Sequence, residues 1–184
     1  MASFELSAFD RRFQAISVVG AIEQKSPYTL NTGFWIRDPN QLIQWPEASA
    51  SNPRRDFLWE QTCFEVFLAR ADQAAYREFN FSPSGDWATY AFADYRRPGE
   101  PQESERLAPP RLSILQTAGR VELTAELDAS ALPPGNAALL VGLTAVVESD
   151  DLGDGRHSYW ALHHPSERPD FHHRAGFTWV LPTD

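Results

Sequence analysis

Two alternating segments hold the residues best suited to chemistry. In "CFEVFL" (63–68), Glu65 stands opposite the apolar face made by Phe64, Val66 and Leu68. In "YREFNFS" (76–82), Tyr76, Glu78, Asn80 and Ser82 share one face, and Arg77, Phe79 and Phe81 take the other. If the two strands pair, as sequential strands usually do, Glu65, Glu78 and Asn80 stand together on one side of the sheet. Aromatic residues surround them: seven of the twenty positions from Tyr76 to Tyr95 are Phe, Trp or Tyr. The following strand offers two aromatic faces, Tyr90, Phe92 and Asp94 on one side and Trp87, Thr89 and Tyr95 on the other. A few fixed polar groups among aromatic rings is how small-molecule sites are lined. For a sugar, the rings stack on apolar C–H faces while the carboxylates and the amide bind hydroxyls. The same composition also describes a core with a solvated polar edge. Glu65 and Glu78 can further be read as a glycosidase pair, which needs its carboxyls roughly 5–5.5 Å or 6.5–9.5 Å apart across a cleft. Few long loops are present to build a deep cleft, so hydrolysis ranks below binding.

The other reactive residue types are less organised. All five histidines fall between His157 and His173, in "HSYWALHH" and "DFHHR". A zinc site needs three or four ligands converging at about 2 Å, and adjacent histidines on a strand point to opposite faces. The modest expectation is that one histidine, His163 or His172, rims a ligand pocket; haem or metal binding through the cluster is the alternative. "ESDDLGDGRH" (148–157) gathers Asp150, Asp151 and Asp154 in a glycine-containing turn, without the EF-hand spacing that calcium prefers. Cys63, the single cysteine, has no base near it in sequence and reads as buried and inert. The G-x-S-x-G elbow, the phosphate-binding P-loop and G-x-G-x-x-G are absent.

The elements that must position these residues are strands. "RVELTAEL" (120–127) alternates strictly, and "RLSILQT" before Gly119 completes a hairpin with it. "AALLVGLTAVVE" (137–148) reads as a strand buried on both faces. "TCFEVFLA", "AYREFNFS", "DWATYAFADY", "HSYWALHH" and "FTWVLP" add five more, preceded by "FQAISVVGAI" and "YTLNTGFWI". Helical periodicity is confined to 55–61 and the turn at 128–132. About ten strands with turn signals at short intervals describe an all-β protein, a sandwich or barrel. "RRPGEPQESERLAPP" (96–110) reads as a long exposed loop.

A chain of 184 residues is expected to form one domain spanning 1–184, large enough to fold without disulfides or a structural metal. A net charge of −9 argues against nucleic acid as partner. Fifteen of the sixteen basic residues are arginine, Lys25 being the exception. No run of 18 apolar residues is present to cross a membrane. The N-terminus lacks a basic stretch followed by an apolar run, so the expected location is the cytoplasm.

Together, "LWEQTCFEVFLA", "YREFNFSPSGDWATYAFADYR" and "YWALHHPSERPDFHHRAGFTW" resemble the DOMON-like domains, a group similar to the family-nine carbohydrate-binding modules. The resemblance covers about 55–179, and "NFSPSGDWATYAF" is its most specific part. It implies an antiparallel β-sandwich of jelly-roll or immunoglobulin-like type that binds a sugar or haem without turnover. Haem-binding members use a methionine and a histidine; Met1 is the only methionine here, which leaves two histidines. The combined expectation is a sugar-binding sandwich in which Glu65, Glu78 and Asn80 form hydrogen bonds. Trp87, Tyr90 and Tyr159 stack, and Arg55 and His163 stand at the rim. A protein-interaction surface built on Trp87, Tyr90 and Tyr95 with Arg96 and Arg97 is the third reading.

Overall fold

The computed structural model describes residues 1–10, 15–100, 104, 106–149 and 157–182. Period-two alternation sorts the chain into strands, all antiparallel, that form two sheets. One sheet has the order β1-β3-β4-β10-β9, built from β1 (Ala2–Glu5), β3 (Ser17–Ser26), β4 (Thr29–Arg37), β9 (Arg111–Thr117) and β10 (Arg120–Asp128). The other has the order β2-β12-β11-β5-β6-β7-β8. Its strands are β2 (Ser7–Ala8), β5 (Cys63–Arg70), β6 (Tyr76–Phe81), β7 (Trp87–Asp94), β8 (Arg97–Pro98), β11 (Leu139–Glu148) and β12 (His157–Ala161). β13 (Trp179–Leu181) pairs with the first residues of β11, while β12 pairs with the last. The fold is therefore an antiparallel β-sandwich.

The core lies between the sheets and takes one residue in two from each strand. β10 gives it Val121, Leu123, Ala125 and Leu127, and β4 gives Leu30, Phe34 and Ile36. β5 answers with Phe64, Val66 and Leu68, and β11 with Leu139, Val141, Leu143, Ala145 and Val147. Phe34 stacks on Phe64 across the gap, with ring centroids 4.9 Å apart and 14° between planes. Gly20 lets the sheets close: a Cβ there would meet Leu143 at 3.2 Å.

The ten strands expected from alternation are all present. "HSYWALHH" ends as a strand at Ala161, however, and the expected first strand begins at Ser17. The short pieces β1, β2 and β8 carry too few residues to show a period. The two helical candidates are single 3-10 turns, Leu58–Glu60 and Ala129–Ala131. The aspartates of the 150–156 turn, expected in a solvated acidic loop, lie outside the described residues.

The outer face of the second sheet positions the candidate site. β5 and β6 are buried on both faces, so something must cover the side turned away from the core. Two irregular segments do so, the turn around Leu58 and the chain after β12. Leu58 packs with Cys63 and Ala88. Phe177 stacks on Phe67, centroids 5.4 Å apart, directly over Gly142, where a Cβ would lie 2.8 Å from the Phe177 ring. The Arg174 guanidinium donates to the carbonyl of Arg70, and His173 Nδ1 accepts from Ala175 N to cap the turn Arg174–Gly176. These contacts hold Phe171 and His172 against the sheet.

Candidate ligand-binding site

Pleating alone carries Glu65 and Glu78 to one face. Glu65 pairs with Asn80 and Phe67 with Glu78 across β5 and β6, so the two glutamates are diagonal neighbours on the outer side. Both are nearly inaccessible to solvent. Thr144 Oγ1 on β11 donates to Glu65 Oε2 at 3.0 Å, and Asn80 Nδ2 donates to Glu78 Oε1 at 2.9 Å. Above them opens a cavity of about 380 Å³ with Glu65 and Glu78 at its floor. Tyr90 and Phe92 from β7, Tyr159 from β12, and Trp59 and Phe171 from the covering segments supply aromatic walls.

A chain of hydrogen bonds links the floor to the rim. The Arg96 backbone N–H reaches Tyr76 Oη at 3.1 Å, and Tyr76 Oη lies 2.7 Å from His172 Nδ1. The tyrosine oxygen accepts from Arg96; with its own proton on the Nδ1 side, Nε2 is the N–H end of the imidazole. Nε2 stands 3.7 Å from Glu78 Oε2. Arg96, in the left-handed region at φ 50, lines the cavity. There it pairs with Asp170 at 3.0 Å, while Tyr95 donates to the same carboxylate at 2.7 Å.

Burial governs the charge states. Removal from water, with Asn80 and Arg96 opposing, pushes Glu78 up to about 7. Glu65 is pushed up well beyond the ordinary carboxylate range, by burial first and then by the charge of Glu78. Burial, reinforced by Arg96, pushes the His172 imidazole down to about 4. Burial also raises the Tyr76 hydroxyl to about 12. At neutral pH the floor is therefore two carboxyls that compete for protons beside a neutral imidazole.

The eight residues expected at the site divide. Glu65, Glu78, Tyr90 and Tyr159 line the cavity. Asn80 lies fully buried beneath it and orients Glu78. Trp87 is on the wrong face: it pairs with Phe81, packs against the core, and its Nε1 donates to Asn52 O. The reason is register, since Glu78 opposes Tyr90 and Asn80 opposes Ala88. Arg55 pairs with Asp86 at 3.2 Å, away from the cavity, and His163 is exposed outside it, because the strand that would have aimed it stops at Ala161. His172, the other histidine considered for the rim, lines the cavity.

The remaining histidines do not converge with it. His157 Nε2 bonds Glu60 O and His164 Nε2 bonds Ser7 O, and no three His, Cys, Asp or Glu side chains among the described residues are placed to hold one metal ion. Trp59, Phe92, Arg96 and Phe171 were missed as site residues. Phe92 shares a strand face with Tyr90, a signal visible in the alternation. The other three stand on irregular backbone, where no period points.

No protein-family model matches the chain, and no curated protein sequence matches it. Solved structures do. A protein of Bacteroides uniformis ATCC 8492, described as a candidate carbohydrate-binding protein, superposes with a TM-score of 0.65 at 14% identity, covering 98% of this chain and 84% of its own. A family-nine carbohydrate-binding module of Caldicellulosiruptor kristjanssonii, solved with cellotriose, gives a TM-score of 0.51 at 10% identity over 85% of this chain and 71% of its own. At these identities the likeness establishes a shared β-sandwich fold.

Proposed function

We propose that this protein binds a carbohydrate in the cavity above Glu65 and Glu78, without converting it. The observation that carries the reading is the cavity itself: about 380 Å³, with buried carboxyls on its floor and aromatic rings around them. Trp59, Tyr90 and Tyr159 offer flat apolar faces to sugar C–H groups, and Glu65, Glu78, Arg96 and His172 offer hydrogen bonds to hydroxyls. The carbohydrate-binding modules that share the fold support a sugar as ligand, as does the resemblance to the DOMON-like group, in which we place the chain. We also place it in the cytoplasm.

Binding is favoured over hydrolysis by the arrangement of the carboxyls. Glycosidase pairs flank the scissile bond, whereas Glu65 and Glu78 rise side by side from one sheet face and approach a ligand from the same direction.

A thermal-unfolding screen against mono- and oligosaccharides tests the reading. At about 100 times its dissociation constant, a sugar adds about 2.7 kcal/mol of stability, a rise of roughly 5 °C or more. Trp59→Ala abolishes that rise, whereas Trp87→Phe, on the core face, retains it. If no sugar moves the transition, the proposal is wrong.

A further inference from the structure

The floor of the cavity holds more acceptors than donors, and this asymmetry selects among sugars. Glu65 and Glu78 present four carboxyl oxygens, of which Glu65 Oε2 and Glu78 Oε1 receive the bonds from Thr144 and Asn80. The Thr144 bond uses one of the two Glu65 oxygens, and Glu65, only 4% exposed, lines the cavity. Glu78 Oε2 has only His172 Nε2, at 3.7 Å, beyond hydrogen-bond reach. Among the described residues lining the cavity, the standing cation is Arg96, and Asp170 already occupies it.

The walls fit the same ligand. Tyr90, Phe92, Tyr159, Phe171 and Trp59 turn aromatic surface toward the space, and the faces of such rings attract cations. Buried acceptors without counter-charge, enclosed by rings, are complementary to an ammonium group. A neutral hydroxyl would give the floor a hydrogen bond and leave the carboxyls holding their protons, whereas an ammonium that displaces a proton makes charge-assisted bonds to the carboxylate it meets, roughly twice as strong. We infer that the ligand is a sugar carrying a protonated amino group, held with its ammonium between Glu65 and Glu78. This rests on the carbohydrate reading above and names the class of sugar.

Binding then carries a proton signature. The titratable and charged groups that face the pair are Cys63, Tyr76 and Tyr90 from the sheet and Arg96, Asp170 and His172 from the segments that cover it, with Tyr159 on the far wall. The Cys63 thiol and the Tyr76 and Tyr90 hydroxyls, all pushed up by burial, stay protonated, and Arg96 and Asp170 satisfy each other. Glu65 and Glu78 are the groups whose proton an arriving ammonium displaces.

Isothermal titration calorimetry at about pH 7, in phosphate and in Tris, with glucosamine, glucose and cyclohexylamine as probes, decides the matter. The expected result is glucosamine bound at least about tenfold more tightly than glucose, with net proton release seen as a buffer-dependent enthalpy. In Glu65→Gln the ratio of the two affinities falls toward one, and the proton release diminishes. Glucose bound as tightly as glucosamine overturns the inference and leaves the carbohydrate reading standing. Cyclohexylamine bound while neither sugar binds removes the carbohydrate and keeps the ammonium site. Silence from all three probes overturns both.

Discussion

Replacing Glu78 with glutamine should stabilise the protein progressively as the pH rises. The folded chain pushes the Glu78 carboxyl up to about 7 from its ordinary 4.5, because burial penalises the charge more than Asn80 and Arg96 relieve it. The native state therefore holds this proton more tightly than the unfolded chain does. Stability contributed by the group is fully present below about pH 4.5 and is lost as the pH climbs toward and through about 7. Across that interval, at about 1.4 kcal/mol per pH unit, the loss amounts to about 3 kcal/mol by pH 8. Glutamine keeps the shape and accepts the Asn80 N–H, but has no proton to lose. Relative to the natural chain, Glu78→Gln gains about 3 kcal/mol between roughly pH 4 and 8, or roughly 6–12 °C in Tm. Glu65 moves the same way, since the charge of Glu78 is one cause of its elevation. His172 has the opposite slope: its imidazole is pushed down to about 4 from 6.5, so its contribution grows as the pH rises over that range. It is present in both chains and drops out of the difference. Urea unfolding of the two proteins, followed by tryptophan fluorescence across that pH range, measures this difference directly. A difference that stays constant with pH refutes the reasoning, for it would mean that the Glu78 carboxylate is fully compensated inside the fold.

Three further outcomes follow from the same packing. Tyr76→Phe removes the hydroxyl that bonds His172 Nδ1 and accepts the Arg96 N–H, and should cost about 1–3 kcal/mol in urea unfolding; no change would show that water replaces the hydroxyl. Gly142→Ala brings a Cβ to 2.8 Å from the Phe177 ring. It should cost about 1–3 kcal/mol and weaken ligand binding by displacing the segment that carries Phe171 and His172, so unaltered affinity and Tm would contradict that account. Cys63 is fully buried, and burial with the nearby carboxyls pushes its thiol up. A thiol reagent should find it inert in the native protein and reactive in denaturant, and rapid native labelling would show that the outer face opens.

Alternation determined a large share of this protein on its own. Strict period two in "RVELTAEL" and "CFEVFL" named both the strands and their core faces, because a pleated chain has only two sides. It also placed Glu65, Glu78 and Asn80 together, since sequential strands joined by a short loop pair directly. What it left open was which face of β7 meets them. That depended on the turn after Phe81, where Gly85 at φ 97 sets the register that brings Trp87 opposite Phe81 and Tyr90 opposite Glu78. A one-residue change of register exchanges the faces, and nothing local distinguishes Trp87 from Tyr90.

The cover over the sheet was decided by tertiary structure alone. Trp59, Arg96, Phe171 and His172 stand on irregular backbone, which has no period to read. His172 reaches its place through a hydrogen bond to Tyr76, ninety-six positions away in the chain. Local spacing assigned the carboxyls to a face; only the long-range packing of the Leu58 turn and the 162–178 segment made that face a cavity, removed it from water, and so gave its carboxyls a reason to hold their protons.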